Sequence, residues 1–101
     1  MNKARRNQLS KVIEALRGVE DQTGLYSIIS DLEEIKYDEE SYHDNIPENL
    51  QYSQRAEDSE LSIDNMESAL EYLNEAYDED EFDKNSELIQ EAIDKIEEAR
   101  W

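Results

Sequence analysis

Apolar side chains recur every three or four residues along most of the chain, the spacing that places them on one face of an α-helix. Four stretches show this spacing, from Leu9 to Val19, from Tyr26 to Ile46, from Ile63 to Tyr77 and from Leu88 to Ala99. None of them shows the alternation of apolar and polar residues that marks a β-strand. The pattern therefore predicts an all-α fold.

In the second and third stretches the spacings alternate between three and four, which is typical of the heptad seam of a coiled coil. The seam of the second stretch passes through Ile35, Glu39 and Tyr42, so Glu39 is its one polar position. We expect these two seams to pack against each other.

A turn is predicted at Pro47, the single proline of the chain. The residue before a proline is pushed out of the α region, so the preceding helix should end near Asn45. Ser53 can cap the helix that follows. The predicted architecture is a single-domain antiparallel helical hairpin, with one arm at 3–45, the turn at 46–52 and the other arm at 53–100.

Each arm is interrupted once, at residues 18–24 and at residues 78–85. In an antiparallel hairpin the two interruptions face each other, so we expect a common bend there. The predicted pairs are helix 26–45 beside helix 53–77, and helix 3–17 beside helix 86–100. The basic first helix would then lie against acidic residues of the last helix.

A lone hairpin buries only one seam, and long helical hairpins commonly complete their cores as four-helix bundles. The apolar residues whose outer edges would stay exposed are Ile28, Ile29, Leu32, Leu70 and Leu73. We therefore expect a homodimer in which two hairpins form a four-helix arrangement.

The loop is expected to be locked by Pro47 and Leu50, with Leu50 folded back on Ile46 or Ile63. Arg55 lies in the first turn of its helix, where the positive end of the helix dipole disfavours a cation. We expect Arg55 to pair with an acidic neighbour, and the alternative is that it reaches a partner protein. The candidate partners are Asp44, Glu48 and Glu57.

Tyrosine accounts for six of the eight aromatic residues. The spacing places Tyr42 and Tyr77 on the seams and predicts that Tyr37, Tyr52 and Tyr72 are exposed. Exposed tyrosines among carboxylates are candidate anchors of a protein interface.

The chain has 28 acidic and 10 basic residues, a formal net charge of −18 and a pI near 4.1. Residues 1–17 hold five basic residues against Glu14 alone, a charge of +4, so the rest of the chain carries −22. This field repels nucleic acid and anionic membranes and attracts basic protein surfaces. We expect a protein partner with a basic surface, no direct contact with nucleic acid and no membrane association.

The absence of cysteine excludes disulfides and thiolate metal sites. The N-terminal segment lacks the apolar run of a signal peptide, and no stretch approaches the roughly 18 apolar residues of a membrane span. We expect a soluble intracellular protein.

The segment around the proline reads Asp44-Asn45-Ile46-Pro47-Glu48-Asn49-Leu50-Gln51-Tyr52-Ser53-Gln54-Arg55-Ala56-Glu57. It resembles the DN(L/M)PE(N/S)LQxSERGE signature of small proteins encoded in tailed-phage and prophage genomes, which also share the N-terminal NKARR run and an acidic C-terminal helix. Gln54 and Ala56 depart from the signature, which has glutamate and glycine there. The resemblance implies a phage origin, a helical hairpin and a place in the cytoplasm of a bacterial host, and it implies no activity.

The acidic residues also raise the possibility of metal sites. Asp78, Asp80 and Asp83 resemble part of a calcium loop, but Phe82 and Ile89 stand where oxygen ligands are required. A solvated acidic joint between two helices is the favoured interpretation of this segment.

Glu40 and His43 form a Glu-x-x-His half of a di-iron motif, but the facing seam offers no glutamate. Carboxylate doublets are faintly similar to the magnesium-binding sets of all-α nucleotide pyrophosphohydrolases. These doublets are Glu33-Glu34 and Glu39-Glu40, with Glu75-x-x-Asp78 later in the chain. We expect no cofactor, no metal and no catalytic residue.

The main candidate site is an acidic face made by Glu33, Glu34, Asp38, Glu39, Glu40, Glu67, Glu71 and Glu75. Carboxylates four residues apart on a helix lie about 6 Å apart along the axis, so a row of them can imitate a phosphate backbone. We therefore predict a DNA-mimic or anti-defence inhibitor that binds a basic, possibly nucleic-acid-binding, protein surface. A scaffolding coiled-coil dimer and a magnesium-dependent pyrophosphohydrolase remain alternatives.

Overall fold

The computed structural model describes residues 2–83 and 85–100. All of the regular secondary structure in these residues is helical. Its elements are α1 (Lys3–Arg17), α2 (Gln22–Asp44), a single 3-10 turn (Glu48–Leu50), α3 (Gln54–Asp78) and α4 (Glu87–Ala99). No strand occurs among the described residues. The predicted all-α fold, with one interruption in each arm and a turn after Asn45, is confirmed.

Each helix begins after a polar residue whose side chain accepts a hydrogen bond from a backbone N–H of the first turn. Asn2 accepts from Arg5, Asp21 from Gly24, Ser53 from Ala56 and Ser86 from Leu88. The predicted cap at Ser53 is thus confirmed, with 3.3 Å between its Oγ and the Ala56 nitrogen. Local sequence therefore sets the helix starts.

The four helices form an up-down-up-down bundle in which each helix is antiparallel to its two neighbours. The predicted pairs, α2 with α3 and α1 with α4, are both present, and α1 also packs on α2 and α4 on α3. Gln22 Nε2 donates to the carbonyls of Tyr77 and Glu79 at 2.8 Å, so the two interruptions meet at one end. At the other end Ser62 Oγ donates to the Ala99 carbonyl at 2.8 Å.

The interruptions therefore reverse the chain, where the sequence predicted a bend. Because the chain reverses at both interruptions, the four helices of one chain complete the four-helix arrangement. The five apolar residues expected to have exposed edges, Ile28, Ile29, Leu32, Leu70 and Leu73, are all at most 7% exposed. The expectation of a homodimer rested on those exposed edges, and this premise is wrong.

The core takes residues from all four helices and includes Leu9, Leu25, Leu32, Met66 and Ile96. Each of these five side chains is 0% exposed to solvent. Fully burying a side chain of this size stabilises the fold by about 1.5 to 3 kcal/mol. The bundle core is therefore the main source of stability.

α2 and α3 are longer than α1 and α4, so their connected ends project beyond the bundle. We call this projection, residues 43–61, the tip. Within it Ile46 is buried, whereas Leu50 is 39% exposed. The expected fold-back of Leu50 is wrong: Leu50 ends the 3-10 turn, where its N–H donates to the Pro47 carbonyl at 2.8 Å, and Ile46 is the residue that faces inward.

Candidate protein-binding surface

Glu39 is buried where the tip joins the bundle, so it does not belong to an exposed acidic face. It lies on the core side of α2, at the polar seam position, and is 0% exposed. Arg5 Nε donates to its Oε1 at 2.8 Å and Ser59 Oγ donates to its Oε2 at 2.6 Å. The Arg5 guanidinium also lies 5.2 Å from the centroid of the Tyr42 ring. We call these four residues the polar layer.

The outward face of α3 carries an unbroken row of carboxylates at spacings of three and four. All of them are exposed, and they lie on the side opposite the core residues Met66 and Leu73. We call the row the α3 stripe: Glu57, Glu60, Asp64, Glu67, Glu71, Glu75 and Asp78. It extends over 22 residues, which is 21 helical steps or about 32 Å of helix.

Three members of the α3 stripe, Glu67, Glu71 and Glu75, belong to the face predicted from sequence. Glu57, Glu60, Asp64 and Asp78 were missed. The signal for them was present, because the apolar seam of α3 fixes which positions point outward and all four fall there. The acidic doublets of α2 form a more conspicuous pattern in the sequence, but they do not mark a shared surface.

Of the four remaining predicted carboxylates, Glu40 is half-buried and pairs with Lys36 of its own helix. The other three divide between two grooves on either side of α2. Glu33 lines the groove between α2 and α3 with Glu67 and Glu71, next to Lys36 and Tyr37. The volume of this groove is about 300 Å³. Its acidic residues are continuous with the α3 stripe.

Glu34 and Asp38 lie on the other side, in a groove between α1 and α2 that Lys11 also lines. The basic helix therefore faces these two carboxylates. They do not share a surface with Glu67 and Glu71. The single acidic face predicted from sequence is thus wrong in its membership, because Glu39 is buried and Glu34 and Asp38 point elsewhere.

Charge is polarised across the bundle. α1 has five basic residues against Glu14, a net +4, and α3 has eight acidic residues against Arg55, a net −7. α1 packs on α2 and α4, so α3 lies at the opposite corner. The predicted attraction between α1 and α4 is present as an ion pair of 3.2 Å between Arg17 and Glu97. Basic residues thus neutralise the far side of the bundle and leave the α3 stripe acidic.

Within the described residues, one cation lies within 4.0 Å of a stripe carboxylate. This cation is Lys36, whose Nζ is 3.6 Å from Glu40 and 4.0 Å from Glu67. The expected ion pair of Arg55 is wrong, because Arg55 is exposed and no carboxylate of residues 2–83 and 85–100 lies within 4.0 Å of its guanidinium. The stripe is therefore almost free of internal compensation.

Among the predicted turn residues and tyrosines, Asn45, Tyr37 and Tyr52 lie as expected. Asn45 caps α2, and its Nδ2 donates to the Ser41 carbonyl at 2.9 Å. Tyr37 and Tyr52 are exposed, by 59% and 95%. Tyr72 was predicted to be exposed but is half-buried and packs against the core. Tyr52 is the most exposed of the three.

Among residues 2–83 and 85–100, no three or more histidine, aspartate or glutamate side chains are grouped so that they could hold a metal ion. No helix in those residues combines the length and hydropathy needed to cross a bilayer. Comparison with protein-family models, with curated proteins and with solved structures gave no match. The charged surface of the bundle is therefore the basis for assigning a function.

Proposed function

We propose that this chain is an acidic interaction protein that occupies a basic, nucleic-acid-binding surface of another protein. In this proposal it acts by binding rather than by catalysis, and it is of phage origin and works in the bacterial cytoplasm, as the resemblance of its turn implies. The observation that supports the proposal is the α3 stripe, seven exposed carboxylates in one line.

The charge density of the stripe indicates which nucleic acid it could imitate. Seven carboxylates over about 32 Å give one charge per roughly 5 Å. A single DNA strand carries one phosphate per 3.4 Å of axis, and the duplex carries one per 1.7 Å. The stripe thus approaches the density of one strand and reaches only about a third of that of a duplex. A groove that holds one phosphate backbone is therefore the expected target.

The scaffolding alternative would need an apolar face through which copies associate. The core is closed within one chain, and its apolar residues come from all four helices. Among residues 2–83 and 85–100, the large apolar side chains left exposed are Tyr26, Tyr37, Leu50, Tyr52 and Leu61. Three of them lie in the tip, one in the α2–α3 groove and one at the start of α2, so they do not line one helix face. This distribution favours binding through charge.

The test compares two charge reversals of equal size. One replaces Asp64, Glu67, Glu71 and Glu75 of the α3 stripe with lysine. The control replaces Glu87, Glu91, Asp94 and Glu98 of α4, which are also exposed and also comprise three glutamates and one aspartate. Circular dichroism checks that both variants remain helical.

The partner is first captured from bacterial lysate with the unaltered protein and is then purified for titration. We expect its affinity to fall steeply with salt, single-stranded DNA to compete, and the stripe reversal to abolish binding while the α4 reversal retains it. Equal loss in both variants would mean that only net charge matters. Retained binding in the stripe variant would contradict the proposal.

A further inference from the structure

The tip exposes an aromatic ring that is almost wholly in contact with solvent. Tyr52 is 95% exposed and follows the 3-10 turn. It lines an open groove of about 590 Å³ in the tip. We call this space the tip groove, and its lining residues are His43, Glu48, Gln51, Tyr52, Glu57 and Glu60.

The tip groove has an excess of negative charge. Glu48, Glu57 and Glu60 line it, and among residues 2–83 and 85–100 no cationic group lies within 4.0 Å of their carboxylates. Arg55 lies close in sequence but is exposed to solvent. A cation from another molecule would therefore find both free carboxylates and a free ring.

The same protein shows how it holds a cation with this combination of groups. In the polar layer, Arg5 contacts the Glu39 carboxylate at 2.8 Å and lies 5.2 Å from the centre of the Tyr42 ring. The tip groove offers the same two kinds of group on the outside, namely carboxylates and a tyrosine ring.

We propose that the tip groove receives an arginine side chain of the partner protein, with the guanidinium over the Tyr52 ring and paired with Glu57 or Glu60. Arginine fits better than lysine because its planar guanidinium can stack on a ring while its N–H groups donate to a carboxylate. This inference rests on the proposed function, because it specifies which basic residue of the partner is recognised. Glu57 and Glu60 also belong to the α3 stripe, so the arginine would lie at one end of the imitated backbone.

The test uses two probes, an oligo-arginine peptide and an oligo-lysine peptide of equal length. Each is titrated against the unaltered protein, Tyr52→Ala and the control Tyr26→Ala. Tyr26 is 59% exposed and lies at the opposite end of α2, so both variants remove an exposed ring without changing the charge. Because Tyr52 is almost fully exposed, its replacement leaves the fold intact.

We expect Tyr52→Ala to weaken the binding of oligo-arginine by about two- to five-fold, the range for an exposed cation–π contact. Binding of oligo-lysine should change less, and Tyr26→Ala should change neither. In NMR spectra, oligo-arginine should shift the resonances of Tyr52, Glu57 and Glu60. Equal losses for both peptides, or shifts elsewhere only, would overturn the inference.

A second copy of this chain is the competing occupant of the tip groove, and sedimentation distinguishes it from a partner's arginine. If a second copy filled the groove, the unaltered protein would sediment as a dimer and Tyr52→Ala as a monomer, which would overturn the inference. We expect both to sediment as monomers.

Binding of the purified partner separates failure of this inference from failure of the proposed function. If the stripe reversal abolishes partner binding but Tyr52→Ala does not weaken it, the inference fails while the proposed function stands. If the stripe reversal leaves partner binding intact, the proposed function itself fails.

Discussion

The two long helices, α2 and α3, run through both the four-helix part of the molecule and the tip. They bury different residues in the two regions. In the four-helix part, α2 contributes Leu25, Ile28, Ile29 and Leu32 to a core shared with its neighbours. In the tip, α2 and α3 have only each other, and the buried apolar residues there are Ile46 and Ala56. The number of neighbouring helices, rather than the heptad pattern, decides how much apolar surface is removed from water.

The polar layer lies at the boundary between the two regions. A heptad seam position that holds Leu32 inside the bundle holds Glu39 at this boundary, with Arg5 and Ser59 as partners. A buried ion pair adds little net stability compared with apolar residues of similar volume, but removing one partner is costly. We therefore expect the polar layer to fix where the bundle ends and the tip begins. It does so by holding the first turn of α1 against α2.

The largest effect is expected in the four-helix part. Leu73→Ala removes a side chain that is 0% exposed, so it should lower the free energy of unfolding by about 2 to 5 kcal/mol. Urea unfolding followed by circular dichroism measures this change. A loss below about 1 kcal/mol would show that the bundle core is not tightly packed around α3.

The polar layer should give the next largest effect. Glu39→Gln keeps a polar group next to Ser59 but leaves Arg5, whose side chain is 13% exposed, without its carboxylate. We expect a loss of about 1 to 3 kcal/mol of unfolding free energy.

The double variant Arg5→Met with Glu39→Leu is the matched control for the polar layer. It removes both charges at once, so it should cost less than Glu39→Gln or even stabilise the protein. Urea unfolding of the single and double variants measures which of the two is less stable. A double variant that is less stable than the single one would mean that the ion pair is strongly stabilising in itself.

Much of this fold follows from the sequence alone. The seams of α2 and α3, the cap at Ser53 and the end of α2 before Pro47 all depend on local rules of spacing and backbone geometry. The direction of the chain after each of the two interruptions does not follow from the sequence, because a bend and a reversal leave the same apolar positions along each helix.

One signal in the sequence did indicate how many helices pack together. A helix that packs on one neighbour needs a narrow seam, whereas a helix in a bundle buries a wider stripe. Adjacent apolar residues mark that wider stripe, and such pairs are buried in all four helices. They are Val12 with Ile13, Ile28 with Ile29, Ala69 with Leu70 and Ala92 with Ile93. These pairs favour a four-helix bundle over a two-helix hairpin, and they are the same whether the bundle forms within one chain or from two hairpins.

The candidate surface was predictable only in part. Glu67, Glu71 and Glu75 point outward because they lie opposite the seam of α3, and sequence periodicity is enough to show this. Glu34 and Asp38 could not be placed, because whether they face α1 or α3 depends on where α1 packs. Which carboxylates share a surface is set by tertiary packing, and local spacing does not contain that information.

At the buried apolar residue of the tip we expect a smaller effect than the same kind of truncation has at Leu73. Ile46 is 5% exposed, but it lies in the tip, which only α2 and α3 reach. Ile46→Ala should therefore cost about 2 kcal/mol, the lower end for such a truncation. Hydrogen exchange gives an independent measurement, since the tip amides should exchange faster than those of Leu32 and Leu73. Equal protection in both regions would contradict the division into bundle and tip.

The smallest effect is expected at Leu50, in the 3-10 turn that follows Ile46. Its side chain is 39% exposed, and its backbone contacts, a donated bond to Pro47 and accepted bonds from Ser53, do not involve the side chain. Leu50→Ala should therefore change the free energy of unfolding by no more than about 0.5 kcal/mol. Paired with Ile46→Ala in the same urea titrations, it shows which of the two apolar residues closes the tip. A loss of about 2 kcal/mol or more at Leu50 would mean that its side chain does fold back on Ile46 or Ile63, as the sequence predicts, and that the tip is more tightly packed than its exposed leucine and tyrosine indicate.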